Sequence, residues 1–63
     1  MRKFETIILK FLRRYGTATT HDVAKVLGIS WHKAQLYLSV LAYCRKIRFR
    51  RVGRQNEWEL MAD

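Results

Sequence analysis

The sequence predicts a mainly helical α+β domain in which three helices precede a two-stranded β-hairpin. Three observations predict it: apolar residues recur at helical spacing from 2 to 15, two short helical patterns meet at Gly28, and strict alternation begins after Lys46. The 63 residues are expected to form a single domain, 1–63. A domain of this size buries only roughly 60% of the surface that its unfolded chain exposes, so we expect modest stability.

The first predicted helix spans residues 2–15 and is amphipathic, with Gly16 as a natural stop. Its apolar side chains at helical spacing are Phe4, Ile7, Ile8, Phe11 and Tyr15. Leu9 and Leu12 widen this stripe on a flank that so small a domain has little to cover. We expect them to form a two-fold dimer contact, the alternative being partial exposure. A basic amphipathic helix can also lie on a membrane surface, but its apolar face is already explained as core.

A short strand is possible near 17–19, and a second helix is predicted over about 20–27. Thr20, or Thr19 just before it, can cap this helix by accepting from the exposed N–H groups of its first turn. Gly28 follows where a residue with positive φ would end it. The next helix begins two residues later, so the pair reads as a helix-turn-helix.

The third predicted helix runs over about 30–45 with Ser30 as its cap. Ala34, Leu38 and Leu41 recur at spacings of four and three and form the apolar, inward-facing stripe of this helix, here called its seam. Cys44 falls on or near that seam, so we expect a buried, structural thiol. The helix is expected to end in the basic pair at 45–46, where cations meet the negative end of the helix dipole.

The hairpin is predicted over about 46–61, with its turn at 52–55. One face is apolar and should close over the helices: Ile47, Phe49, Trp58 and Leu60. On the other face, Arg48 and Arg50 can pair across the strands with Glu57 and Glu59. The arginines nearest the tip, Arg51 and Arg54, are therefore the most available to a partner.

The charge of the chain favours a polyanionic partner. Thirteen Lys and Arg residues against five Asp and Glu give a formal net charge of +8. Nucleic acid is the leading candidate, ahead of acidic lipid. A charge of this size on 63 residues exceeds what solubility alone requires.

Other classes of function have little support in the sequence. Cys44, the single cysteine, cannot form an internal disulfide, and His21 and His32 stand apart from other ligand types, so no metal site is expected. No cofactor or small-molecule ligand is indicated, and no acidic pair, activated nucleophile or phosphate-binding glycine loop suggests an enzyme. No spanning or signal segment is recognisable, so we expect a cytoplasmic, intracellular protein.

The predicted elements follow the order of a winged helix: helix, short strand, helix, turn, helix and hairpin. The segments VAKVLGIS and KIRFRRVGRQNEWEL, with the seam between them, resemble winged helix-turn-helix transcriptional regulators of the arsenic-repressor and multiple-antibiotic-resistance kinds. The likeness is greatest to small members from archaea and their viruses, and it covers nearly the whole chain. The resemblance implies a homodimer that binds double-stranded DNA.

It also implies that the third helix is the recognition helix, with its first half in the major groove. The residues outside the seam are then the candidate contacts: Ser30, Trp31, His32, Lys33, Gln35, Leu36 and Ser39. Gln35 can read adenine through a bidentate pair, and Lys33 can reach guanine or phosphate. Trp31 has two interpretations, a contact to sugar or thymine methyl and a cover over the core. Leu36 is apolar where many relatives are polar or basic.

The hairpin becomes the wing, which would contact the backbone or the minor groove. Its candidate contacts are Arg48, Arg50, Arg51, Arg54 and Gln55. Two alternatives stay open at this point. One is a protein-docking face made by Trp31, Leu36 and Val40, and the other is RNA binding, because an A-form duplex presents phosphates equally well.

Overall fold

The structure, a computed structural model, describes residues 2–61. Within them the chain forms three helices and three strands. Their bounds are Arg2–Tyr15 for α1, Thr17–Thr19 for β1, Thr20–Leu27 for α2, Trp31–Tyr43 for α3, Ile47–Val52 for β2 and Gln55–Leu60 for β3. The winged-helix architecture expected from the sequence is confirmed. Positions 1, 62 and 63 of the expected single domain lie outside the described residues.

The strands form one antiparallel sheet in the order β1, β3, β2. The short strand expected near 17–19 is present, and it places Ala18 opposite Trp58 of β3. β2 and β3 form the hairpin, with Phe49 opposite Trp58 on its other side. Gly53, the first residue of the two-residue turn, has a φ of 60°, which suits a type II′ turn. β1 thus ties the hairpin to the segment between α1 and α2.

The core lies between the helices and one face of the sheet. Helix α3 contributes three side chains and every other element one or two, and the set is Ile8, Leu12, Ala18, Val23, Ala24, Ala34, Leu38, Leu41, Ile47 and Trp58. The seam predicted for the third helix is entirely buried. Because burying a Leu or Ile side chain contributes about 1.5–3 kcal/mol relative to exposure, this cluster sets how the helices and hairpin face one another.

Local hydrogen bonds close both ends of α2. Thr19, rather than Thr20, is the cap: its Oγ1 accepts from the backbone N–H of Asp22 at 3.0 Å, and Asp22 Oδ2 accepts from the N–H of Thr19 at 3.2 Å. Gly28 has the expected left-handed conformation, with a φ of 67°. Because Thr19 supplies the cap, Thr20 is the first helical residue, and its side chain is only 5% exposed.

The buried face of α1 differs from the one that its apolar stripe indicated. Ile8 and Leu12, one turn apart, are each 1% exposed, whereas Tyr15 is 61% exposed. Leu9 is partly buried against the same core. Leu12 is therefore not available for the expected dimer contact, because it belongs to the core between α1 and the elements that pack on it. A dimer contact at Leu9 stays a prediction.

The third helix ends at Tyr43, two residues earlier than expected. Arg45 has a left-handed φ of 60°. The backbone N–H groups of Arg45 and Lys46 donate to the carbonyls of Ala42 and Leu41, each at 3.0 Å. These are the two bonds of a Schellman motif, which ends the helix ahead of the basic pair. The early end leaves Cys44 exposed, so the expectation of a buried thiol is wrong.

Candidate nucleic-acid interface

The exposed side of α3 starts at its cap. Ser30 Oγ accepts from the backbone N–H of Lys33 at 3.1 Å, which fixes the first turn as expected. Trp31 is 49% exposed, and its ring meets that of His32 edge-on with the centroids 5.4 Å apart. Half of the surface of Trp31 is therefore open to a partner. His32 and Lys33 are also exposed.

The second half of α3 is apolar on its outer side. Leu36 is 59% exposed, and Val40 and Tyr43 follow it at 36% and 89%. Ser39 is exposed beside them. Most of the predicted contact residues of α3 that are both polar and exposed thus lie near the start of the helix, and its second half is mainly apolar.

Gln35 is placed differently from the expectation. It is half-buried, and its Oε1 accepts a hydrogen bond from the Thr20 hydroxyl at 2.9 Å. Bidentate reading of adenine needs both the oxygen and the nitrogen of the amide. Because Thr20 already engages the oxygen, a bidentate pair with adenine would compete with this bond, and that role for Gln35 stays a prediction.

The two faces of the wing are unlike. Side chains alternate along β2, so Ile47, Phe49 and Arg51 lie on the helix side of the sheet and Arg48 and Arg50 on the other. Ile47 is buried, but Phe49 is 50% exposed. The expectation that Phe49 closes over the helices is therefore wrong in part: its ring meets that of the buried Trp58 edge-on, with the centroids 5.4 Å apart, and half of its surface stays exposed.

Arg48 and Arg50 both approach the carboxylate of Glu59. Arg48 Nε lies 3.4 Å and Arg50 Nη1 lies 3.7 Å from Glu59 Oε1, which is a buried atom. Glu57 is the residue opposite Arg50, so Arg50 reaches diagonally across the strands. A DNA contact by either arginine stays a prediction, and such a contact would compete with Glu59.

The wing tip carries a second pair of arginines in a different setting. Arg51, Arg54 and Gln55 are all exposed. Within residues 2–61, no carboxylate lies at salt-bridge distance from Arg51 or Arg54. Arg51 also shares the helix side of the sheet with Phe49, so it lies on the same side of the wing as the core.

An open groove of about 510 Å³ separates the start of α3 from the wing. Trp31 lines one side of the groove, Gln55 and Asn56 line the other, and residues 19–22 at the start of α2 lie between them. Helix α3 and the wing therefore border one common space.

Sequence reasoning did not place the start of α2 in this site. Thr20 and His21 line the groove, and Thr20 also contacts Gln35. Thr20 precedes Val23 and Ala24 by three and four residues, so helical periodicity puts its hydroxyl on the buried face. That spacing was the available signal for an inward-facing threonine.

The described part of the chain offers few features of other kinds of site. In residues 2–61, no group of three or more His, Cys, Asp and Glu side chains is arranged to hold a metal ion. No helix in that range has the length and apolarity needed to cross a membrane.

A helix-turn-helix followed by a basic two-stranded hairpin defines a winged-helix protein. The chain belongs to the family of FaeA-like proteins, whose model matches residues 4–62. In structure it is similar to PKZ Zalpha, known from a crystal structure in complex with ds(CG)6, with a TM-score of 0.85. That match covers 98% of this chain and 100% of the other at 22% sequence identity, so it bears on the fold. No curated protein sequence is significantly similar to the chain.

Proposed function

We propose that this protein binds double-stranded DNA through α3 and the wing and acts as a transcriptional regulator. The observation that carries the proposal is the pair of exposed arginines at the wing tip, Arg51 and Arg54, which have no carboxylate partner in the described residues. Their neighbours on the hairpin, Gln55 and Asn56, line the open groove that the start of α3 also borders. The net charge of +8 would attract a polyanion to this face.

The wing and α3 have different tasks in this proposal. Arg51 and Arg54 neutralise phosphates and displace counterions, which supplies affinity that does not depend on sequence. Lys33 and the hydroxyl of Ser30, near the start of α3, and the hydroxyl of Ser39, in its second half, donate hydrogen bonds to phosphates or base edges. The sequence preference therefore comes from α3 and most of the affinity from the wing.

The comparisons support a nucleic-acid partner at the level of the fold. PKZ Zalpha, which shares the fold, was crystallised with ds(CG)6. The regulatory role rests on the resemblance to the arsenic-repressor and multiple-antibiotic-resistance regulators. The proposal includes a homodimer that reads two half-sites, and it includes the cytoplasmic location in which such a regulator meets DNA.

The affinity for duplex DNA as a function of salt tests the proposal. If a dimer neutralises about eight phosphates, the slope of log affinity against log salt is about −7. Replacing Arg51 and Arg54 by Ala removes about four of those contacts and should bring the slope to about −4, with all sequences weakened alike. A wild-type slope shallower than about −2 would contradict the proposal.

Lys10→Ala with Arg13→Ala is the matched control. This pair removes the same two charges per chain from exposed positions on α1. The slope should stay near the wild-type value, because neither residue lies on α3 or on the wing. An equal loss of slope in both double variants would mean that net charge, rather than the wing, attracts the DNA.

A protein-docking face is the second candidate, and the exposed apolar side of α3 at Leu36, Val40 and Tyr43 favours it. Gel shifts with duplex DNA and duplex RNA of equal length separate the alternatives. A docking protein shifts neither duplex, and an RNA-binding module shifts the RNA at least as strongly as the DNA. The DNA proposal requires a shift of the DNA at lower protein concentration than the RNA.

A further inference from the structure

Three side chains from the elements around the groove form one hydrogen-bond chain. The indole Nε1–H of Trp58 on β3 donates to Thr20 Oγ1 on α2 at 3.0 Å. The Thr20 hydroxyl donates to Gln35 Oε1 on α3 at 2.9 Å. Trp58 and Thr20 are only 4% and 5% exposed. The wing, the first helix of the helix-turn-helix and the recognition helix are therefore linked through side chains in the interior.

The donor and acceptor groups of the three side chains fix the direction of each hydrogen bond. An indole N–H can only donate, so the Thr20 oxygen accepts from Trp58. A buried hydroxyl proton needs an acceptor of its own. The carboxamide oxygen of Gln35 is that acceptor, and the amide is therefore held with its oxygen toward Thr20.

The NH₂ group of Gln35 is then the end of the amide that Thr20 does not engage. The carboxamide is planar and trigonal, so fixing its oxygen also fixes the direction of its nitrogen. Gln35 lies one helical turn after Trp31, which lines the groove, and one turn before the exposed Ser39. With Thr20 bonded to its oxygen, Gln35 has two N–H donors that no hydrogen bond within residues 2–61 engages, and these donors are what it would offer first to a partner.

We propose that Gln35 reads DNA as a hydrogen-bond donor, fixed in that state by Thr20 and Trp58, so that α3 favours guanine over adenine. This inference rests on the proposed DNA-binding function. Guanine presents two neighbouring acceptors in the major groove, N7 and O6, whereas adenine places its N6 donor beside N7. Lys33, exposed in the same part of α3, also only donates, so both side chains suit the G·C edge.

Thr20 and Trp58 are positioning residues in this scheme. Neither needs to touch DNA: Trp58 orients the Thr20 hydroxyl, and that hydroxyl orients the Gln35 amide. If these hydrogen bonds were purely structural, removing them would lower the stability of the fold and leave the base preference unchanged. The base preference is therefore the measurement that separates the two roles.

Selection of bound duplexes from a random pool at about 150 mM salt, where non-specific attraction is weakened, tests the inference. We expect the wild type to enrich guanine at one or two positions. Thr20→Val keeps the side-chain volume without the hydroxyl, releases the amide, and should reduce the guanine-over-adenine ratio about tenfold. Thr20→Ser retains the hydroxyl and is the matched control, with the wild-type ratio expected.

Gln35→Glu is the second variant, and it does not depend on the folding of Thr20→Val. Its carboxylate still accepts from Thr20 but presents an acceptor to the groove, so the preference should move from guanine to cytosine. Adenine preference in the wild type, or a guanine preference that survives in Gln35→Glu, would overturn the inference while DNA binding stands. Failure to bind any duplex would overturn the proposed function, and the inference with it.

Discussion

The base and the tip of the wing belong to one hairpin but are stabilised in different ways. At the base, Ile47 and Trp58 are 1% and 4% exposed, and β1 flanks β3 as a third strand. At the tip, residues 51–56 are all exposed, and only β2 and β3 pair there. The base is therefore part of the core, whereas the tip depends on two strands and a turn.

The arginines follow the same division. Arg48 and Arg50, nearer the base, face the Glu59 carboxylate, and Arg51 and Arg54, at the tip, have no such partner in the described residues. The base of the hairpin thus contributes to the stability of the fold, and the tip carries the arginines that are available for binding. Substitutions of the buried side chains at the base should change the free energy of unfolding more than substitutions at the tip.

Trp58→Ala should give the largest effect on stability. Deleting a buried tryptophan costs about 3–5 kcal/mol, and a chain of this length has only about 3–9 kcal/mol of total stability. Urea denaturation followed by circular dichroism should show a protein that is largely unfolded or close to it. Trp31→Ala is the control: this tryptophan is 49% exposed, and its loss should cost less than about 1 kcal/mol. Equal losses would remove the distinction between the core and the groove.

Gly53→Ala tests the tip and should have an intermediate effect. Gly53 has a φ of 60°, and a Cβ added there would meet no atom within 4 Å. The cost is therefore backbone strain alone, about 1 kcal/mol, measured as a lower midpoint of thermal unfolding. Gly53→Asn should cost less, because asparagine tolerates the left-handed region. A loss as large as that of Trp58→Ala would mean that the tip contributes to the core after all.

Local signals in the sequence were sufficient for the order of the elements and for most of their bounds. Gly16 and Gly28 follow the last residues of α1 and α2, Ser30 caps α3, and the change to strict alternation coincides with β2. Each of these signals acts within a few residues of the boundary that it sets, which is why a single sequence reveals it.

The errors arose where a side chain's setting depends on another element. Leu12 is buried, and α1 packs against β1 and β3. The apolar stripe of one helix does not show which of its residues those strands will cover. Gln35 turns inward because a hydroxyl 15 residues earlier needs an acceptor. Arg50 reaches Glu59 rather than its cross-strand neighbour Glu57. A pattern along the chain predicts which face a residue occupies, but tertiary packing decides what that residue contacts.

Glu59→Gln should have the smallest effect on stability and a distinct effect on binding. Arg48 and Arg50 are more than half exposed, and exposed ion pairs contribute about 0–1 kcal/mol, so the fold should tolerate the change. Releasing both arginines adds up to about two phosphate contacts per chain, which should steepen the salt slope by about 2 per protomer.

Glu57→Gln is the matched control for that release. It makes the same change in net charge from the neighbouring position on the same face of β3, and Glu57 forms no salt bridge with the rest of residues 2–61. Its salt slope should stay near the wild-type value, because no arginine is released. If both variants steepen the slope equally, Glu59 does not restrain the base arginines, and the division between base and tip is one of stability alone.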